Sequence, residues 1–166
     1  EITQGVDTAL PIAVVPFAWQ GTSAAPPLDA AAIVAADLAR SGRFAPLDRQ
    51  DMLQKPTTGA EVNFDDWRRQ GSEVLVIGRV LQPAADQYEI QFQVFDVLRG
   101  EQLMGYRQPA TAADFRRSAH RVADLIYEKL TGIRGVFSTR IAYVTVVRGA
   151  AQGGNQAPGG IKSTYR

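Results

Sequence analysis

Two short apolar runs constrain the fold of this chain more than any other feature of its sequence. The first is Pro-Ile-Ala-Val-Val-Pro-Phe at positions 11–17, and the second is Val-Leu-Val-Ile at 74–77. Runs of this kind are typical of strands buried on both faces of a sheet, with proline tolerated only at the strand ends. We therefore expect a sheet whose central strands are covered on both sides.

Further strands and helices are expected around these two runs. Apolar and polar residues alternate from 88 to 94, a period of two that predicts a strand with one buried and one wet face. Helix patterns occupy 28–40 and 115–130, and Gly42 and Gly132 are expected to end them. We also predict strands at 43–48, 102–107 and 138–147, a helical turn at 49–53, a short helix at 63–69, and loops at 18–27, 56–59 and 83–86. This order predicts an α/β fold, a mixed five- or six-stranded sheet with two main helices packed on it.

The composition excludes several classes of function. The 166 residues include 18 Lys and Arg against 17 Asp and Glu, one His and no Cys. A net charge of +1 gives no general attraction to nucleic acid or anionic lipid. The lack of cysteine excludes disulfides, thiolate zinc sites and cysteine nucleophiles, and one histidine excludes metal sites built from several. We expect no metal and no cofactor. No membrane insertion is expected either, since the apolar run at 30–36 is far too short to span a bilayer.

The chain is expected to divide into a partner-binding arm at 1–10, an α/β domain at 11–148 and a glycine-rich linker or tail at 149–166. The tail is rich enough in glycine to be a flexible tether. A start at Glu1 rather than Met fits a trimmed mature protein or an excised piece of one.

The first residues are the strongest candidate for a binding site. Ile2 and Val6 lie on one face if this segment is extended, and an extended segment can add as a strand to the sheet edge of another protein. The alternative is a frayed terminus with no role, which the composition by itself favours. The candidate partner-binding residues are Glu1, Ile2, Thr3, Gln4, Gly5, Val6 and Asp7.

Arginines on the second main helix suggest a small RNA-binding domain as an alternative. Arg116, Arg117 and Arg121 form a basic cluster on this helix. Acidic neighbours, among them Asp114 and Asp124, leave the helix near neutrality. The sequence pI of about 8.4 also lies below the value above about 9 that is typical of nucleic-acid domains. We therefore expect a solvated helix face and no nucleic-acid partner.

A hydrolase built on His120 is the second alternative. His120 is the only imidazole base of the chain. Ser118, two residues away, points to a different side of the helix, and the sequence has no Gly-x-Ser-x-Gly elbow. A hydrolase would need a pocket that holds His120 beside a carboxylate and a hydroxyl. We expect no catalytic site.

Tryptophans and paired carboxylates are expected to have local structural roles. Trp67 is predicted to anchor the short helix to the core, and Trp19 to pack locally or to help hold the arm. Asp65 and Asp66 lie in the first turn of that helix, where negative charge interacts favourably with the helix dipole.

Separate blocks of sequence, in the same order, resemble the TolB family of Gram-negative bacteria. They are Ile-Thr-Gln-Gly-Val-Asp at 2–7, Pro-Ile-Ala-Val-Val-Pro-Phe at 11–17, Ala-Ala-Ile-Val-Ala-Ala-Asp-Leu at 31–38, Ser-Gly-Arg-Phe at 41–44, Glu-Lys-Leu-Thr-Gly-Ile at 128–133 and Thr-Arg-Ile-Ala-Tyr-Val at 139–144. The resemblance covers the chain from its first residue to about 147. The glycine-rich stretch from 149 departs from the linker expected in the family.

The resemblance implies a function in the periplasm, within the Tol–Pal system. It implies an N-terminal α/β domain with a fold like the anticodon-binding domain of some aminoacyl-tRNA synthetases. In the family the N-terminal arm binds the C-terminal domain of TolA, and a six-bladed β-propeller binds the lipoprotein Pal. No propeller blade is present in this sequence, so no Pal contact is carried over. The expected function is a non-catalytic protein-interaction domain that supports outer-membrane integrity and cell division and is exploited in colicin import.

Overall fold

The computed structural model describes residues 8–139, which form one sheet with helices on both faces. Its elements are β1 (Leu10–Val14), β2 (Ala18–Gln20), α1 (Ala30–Arg40), β3 (Phe44–Pro46), α2 (Phe64–Arg69), β4 (Val74–Ala84), β5 (Gln87–Asp96), β6 (Glu101–Thr111) and α3 (Phe115–Thr131). Two 3₁₀ turns, Arg49–Asp51 and Gly59–Glu61, lie between β3 and α2.

The sheet is mixed and six-stranded, which confirms the predicted fold class. The strand order is β3-β1-β4-β5-β6, and β2 pairs with the far half of β4. β1 is parallel to β3 and β4, and β2 is parallel to β4. The β4–β5 and β5–β6 pairs are antiparallel. The two apolar runs form β1 and the first half of β4, the central strands, as predicted.

The two faces of the sheet have separate cores. Alternate residues of β1, β4 and β5, such as Ile12, Val76 and Phe92, are buried against the two main helices, α1 and α3. We call this the front face. On the back face, Leu75 and Ile77 pack with Trp67 of α2, which is fully buried. Trp67 therefore anchors its helix as predicted, because a buried indole contributes a large apolar area.

Two predicted boundaries on the strands are wrong. The loop predicted at 18–27 contains β2, because Ala18–Gln20 pairs with residues 79–81 of β4. The turn predicted at 83–86 begins too early, since β4 continues through Pro83 to Ala84. A register shift between Leu81 and Ala84 accommodates the proline, in keeping with the restriction of proline to strand edges and bulges.

One helix begins at a capping side chain, and two helices end before glycines, largely where the sequence predicts. Asn63 caps α2 by accepting from the backbone N–H groups of Asp65 and Asp66. Gly42 and Gly132 have φ of 73° and follow α1 and α3, a left-handed backbone that glycine adopts without a steric cost. The ends of α1 and α3 therefore lie where the sequence pattern predicts.

The segment after α3 departs from the prediction where it is described. The predicted strand at 138–147 begins in a turn, in which the Thr139 N–H donates to the Val136 carbonyl at 3.2 Å. Residues 140–147, the tail at 149–166 and the candidate site at 1–7 lie outside the described residues. Between residues 8 and 139, no helix is both long enough and apolar enough to cross a bilayer.

Candidate partner-binding site

The candidate arm joins the domain at the start of a central strand. The described chain begins at Thr8, directly after the candidate residues 1–7, and enters β1 at Leu10. The Leu10 N–H donates to the Arg43 carbonyl at 2.9 Å, which ties the strand to the segment preceding β3. The attachment point of the arm is therefore fixed by the sheet.

A cavity of about 260 Å³ lies beside this attachment point. Thr8, Leu10, Arg43 and Leu130 contribute to its lining, so it is formed by the start of β1, the segment before β3 and the last turn of α3. Its described lining residues include no carboxylate and no imidazole.

His120 has a carboxylate partner that the sequence did not reveal. Its Nδ1 lies 2.5 Å from Asp37 Oδ2, although the two residues are 83 positions apart. Asp37 is fully buried, and its other oxygen accepts from Arg40. Ser118 Oγ donates instead to the Pro109 carbonyl, at 3.4 Å, so Ser118 does not supply the hydroxyl that a hydrolase would need. The pair joins α1 to α3.

The basic cluster of α3 lies on the solvent side of the helix. Arg116, Arg117 and Arg121 are all exposed, whereas the opposite side of α3 is buried in the front core. Arg117 Nη2 is 3.6 Å from Asp114 Oδ2, so one of the three positive charges is paired. This placement agrees with the solvated helix face that the charge balance predicts.

Asp114 also exchanges hydrogen bonds with Thr111 directly before α3. The Thr111 N–H donates to Asp114 Oδ1 at 2.6 Å, and the Asp114 N–H donates to Thr111 Oγ1 at 3.3 Å. The hydrogen bond from the Thr111 backbone, assisted by the charge of Arg117, holds the pKa of Asp114 below its ordinary value. The start of α3 is thus stabilised by reciprocal hydrogen bonds.

Asp124 is a buried residue whose role was missed. The solvated face expected for α3 does not include Asp124, because its side chain is buried. Asp124 Oδ1 accepts from the Phe137 N–H at 2.6 Å, and Oδ2 accepts from the Ser138 N–H at 3.1 Å and from the Ser138 hydroxyl. Asp124 therefore holds the segment after α3 against the helix.

The close approach of that segment requires a glycine. A Cβ at Gly135 would lie 2.6 Å from Asp124 Cα, closer than real Cβ atoms come to backbone. The Phe137 ring then packs edge-on against Tyr127 with 5.6 Å between centroids. Gly135 was not identified from the sequence, although a glycine near a helix end is a signal of close packing.

The remaining candidates have local structural roles. Trp19 packs locally, since its Nε1 donates to the Ser23 carbonyl at 2.6 Å and its ring lies 6.3 Å from that of Tyr88. Asp65 pairs with Arg68 at 2.5 Å. No group of three or more His, Asp or Glu side chains within residues 8–139 is arranged to hold a metal ion.

Comparisons with known proteins identify relatives of the chain. Residues 1–103 match the family described as the TolB amino-terminal domain. The Tol-Pal system protein TolB of Nitrosococcus oceani is 54% identical over 156 residues, which are 94% of this chain and 35% of that protein. The corresponding protein of Thioalkalivibrio sulfidiphilus is 50% identical over 155 residues, with 93% and 35% coverage. The chain thus spans about a third of the length of these relatives.

Solved structures agree with the sequence comparisons. The crystal structure of TolB from Acinetobacter baumannii matches with a TM-score of 0.69 and 34% identity, over 87% of this chain and 34% of that one. The C-terminal domain of LpoB from Salmonella enterica matches with a TM-score of 0.51 and 14% identity, over 65% of this chain and 87% of that one. At that identity the second likeness concerns the fold alone.

Proposed function

The chain belongs to the TolB family, and on that premise we propose that it is a non-catalytic interaction domain of the Tol–Pal system in the periplasm. In this proposal residues 1–10 are a partner-binding arm, 11–148 are the domain that carries it, and 149–166 are a linker. Outer-membrane integrity and cell division are the processes that the domain supports, and colicin import would exploit it. A contact with Pal would require a region of the longer relatives that this sequence does not contain.

The partner that we propose for the arm is the C-terminal domain of TolA. Glu1, Ile2, Thr3, Gln4, Gly5, Val6 and Asp7 would add as a strand to its sheet, with Ile2 and Val6 filling pockets. One observation carries this proposal: the family match begins at residue 1, so it includes the arm together with the domain. The attachment of Leu10 to the sheet supports it, because a fixed base presents the arm at a defined place.

The energetics of such an arm favour a reversible contact. Ordering a peptide backbone costs about 1–2 kcal/mol per residue, and this cost is subtracted from the hydrogen bonds and side-chain burial gained in the complex. The expected affinity is therefore modest. An arm of this kind suits a partner that must be released and engaged repeatedly.

A binding assay with the purified TolA C-terminal domain tests the proposal. Deletion of residues 1–7 is expected to abolish binding, measured by calorimetry or pull-down, while the thermal unfolding transition stays nearly unchanged. The double variant Ile2→Asp/Val6→Asp should bind at least tenfold more weakly than Thr3→Asp, which changes charge on the opposite face of the extended arm. Binding retained after the deletion would refute the proposed role of the arm.

A further inference from the structure

The back face of the sheet is covered at one end only. α2 covers Leu75 and Ile77, but the rows that follow on this face carry Arg79 of β4, Gln91 and Gln93 of β5 and Arg107 of β6. A groove of about 680 Å³ lies there, bounded by residues 57–59, and Arg79, Gln91, Gln93 and Arg107 line its floor. No helix among residues 8–139 covers this half of the face.

Arg79 and Arg107 lie in one row across three strands. Arg79 is opposite Gln91 on β5, and Gln91 is opposite Arg107 on β6. Because neighbouring strands are about 4.8 Å apart, the two arginine backbones are separated by about 10 Å, and their side chains leave the sheet on the same face. The row therefore presents two positive charges at a spacing set by the sheet.

The surroundings hold one guanidinium in place, and neither arginine has a carboxylate partner among residues 8–139. Arg79 is half-buried, and its Nε donates to Gln91 Oε1 at 2.8 Å, while Gln91 Nε2 donates to Glu89. Neither Arg79 nor Arg107 lies within 4.0 Å of a described carboxylate, whereas Arg49, for example, is 2.6 Å from Asp29. Glu89 is the nearest acidic side chain in register, one row away, and Gln91 already occupies one of its oxygens.

Glycines keep the groove open. Gly105 faces Gln93 across the β5–β6 pair, and a Cβ at this position would lie 2.9 Å from Gln102 Nε2. On the opposite wall, a Cβ at Gly59 would lie 3.3 Å from the Phe95 ring. Larger side chains at either position would narrow the space above the arginine row.

We propose that this groove is a docking site for an acidic segment of a partner protein, in which carboxylates pair with Arg79 and Arg107. Charge complementarity identifies the occupant, since the lining residues include two arginines and no acidic side chain.

A nucleic acid fits this groove less well than an acidic peptide, because proteins that bind single strands use aromatic side chains on which the bases stack. Phe92 and Tyr106 border the groove, but the strand register places their side chains on the face opposite Arg107, where the two rings pack together. None of the described arm residues, 8–10, is among the lining residues of this groove.

The contact is electrostatic and partly solvated, so it is expected to weaken as salt rises. The probe is an acetylated ten-residue peptide of alternating Glu and Thr, titrated into the 15N-labelled 166-residue chain at low salt. Backbone amide shifts are expected at Gly59, Gln91, Gly105 and Arg107, with saturable binding. The same peptide with Gln in place of Glu should shift these amides at least tenfold less.

Matched charge reversals separate this site from general electrostatic attraction. Arg107→Glu should weaken binding of the Glu peptide at least fivefold, and because Arg107 is exposed the variant is expected to fold. Arg116→Glu makes the same change of net charge on α3, away from the groove, and should alter the affinity less than twofold. Equal loss in the two variants, or shifts centred on α3, would overturn the proposal. Tighter binding of a uridine decamer or of phosphatidylglycerol vesicles at the same amides would also overturn it.

Discussion

Two fully buried carboxylates of this domain, Asp37 and Asp124, are stabilised by different chemistry. Asp37 faces cationic or ionisable side chains, His120 at 2.5 Å and Arg40, and it joins two helices. Asp124 faces backbone N–H groups of residues 137 and 138 and one hydroxyl, and it joins a helix to the segment that follows it. Burial of a carboxylate is costly in both places, so both sites need complete hydrogen bonding.

The difference lies in what each partner does when the carboxylate is lost. The Arg40 side chain is 65% exposed and can return to water, and His120 is also partly exposed at 22%. The partners of Asp124 are backbone groups, which are hydrated only if the whole segment moves away. At Asp37 the larger loss of folding stability is therefore expected when a partner is removed. At Asp124 the larger loss is expected when the carboxylate itself is replaced.

The largest effect is expected from His120→Ala. This change leaves the Asp37 carboxylate buried with Arg40 as its remaining partner and opens space between α1 and α3. Removal of one member of a buried pair costs about 3–5 kcal/mol, and the retained Arg40 places the expected loss at the lower end, about 3 kcal/mol. Chemical denaturation at pH 7 measures it.

A second substitution shows whether the buried charge is the cause. In the double variant His120→Ala/Asp37→Asn the buried carboxylate that has lost its imidazole partner is gone, so the loss should be smaller than in His120→Ala alone. The double variant could instead be less stable than His120→Ala by the full amount that Asp37→Asn costs in the wild type. That result would indicate that the loss in His120→Ala comes from the cavity left by the imidazole.

An intermediate effect is expected from Asp124→Asn. The amide keeps the size of the side chain but presents an NH₂ group either to the Phe137 N–H or to the Ser138 donors, so at least one hydrogen bond becomes a contact between two donors. The expected loss of stability is about 2 kcal/mol. Hydrogen exchange at the amides of 137 and 138 should accelerate, while exchange in the central strands β1 and β4 follows only the global change.

Ser138→Ala is the matched control for this substitution. It removes the hydroxyl donor but leaves both backbone N–H groups bonded to Asp124. The loss should be under half of that for Asp124→Asn, with the Phe137 amide still protected. Equal exchange at Phe137 in the two variants would mean that the backbone bonds do not hold the segment.

The same two sites show how far the sequence could predict the structure. The central strands were predicted because apolar runs and a period of two are local patterns that burial in a sheet dictates. Asp37 lies on the apolar side of α1 between Val34 and Leu38, a signal for a buried partner. The identity of that partner depends on the packing of α1 against α3, which no local pattern encodes.

Asp124 could not be predicted as buried from its helix alone. It lies three positions after Arg121 and four before Glu128, both exposed, so helical spacing places it on the solvent side. It is buried because residues 135–138 fold back over it.

The strand β2 was not predicted for a related reason. Ala18–Gln20 has no strand pattern of its own and is a strand because β4 extends far enough to pair with it. The arm was proposed from its pattern and the family resemblance, to which the structure adds its attachment point.

The smallest effect is expected at a third carboxylate, Asp29, which is half exposed and paired with Arg49 at 2.6 Å. The hydrogen bonds from Arg49, with help from the backbone N–H groups at the start of α1, hold the pKa of Asp29 below its ordinary value of 3.8. A lowered native pKa stabilises the folded state above the unfolded pKa, and this contribution is lost as the pH falls through the native pKa. Solvent screening limits this contribution to under about 1 kcal/mol.

Wild type should therefore be more stable than Arg49→Gln at pH 7, and the difference in stability should shrink as the pH falls below about 4. Arg116→Gln, which removes an arginine without a described carboxylate partner, should differ from wild type by a nearly constant amount between pH 7 and 3. A gap for Arg49→Gln that stays constant over the same range would show that Arg49 does not act through the charge of Asp29 and that the exposed pair adds no measurable stability.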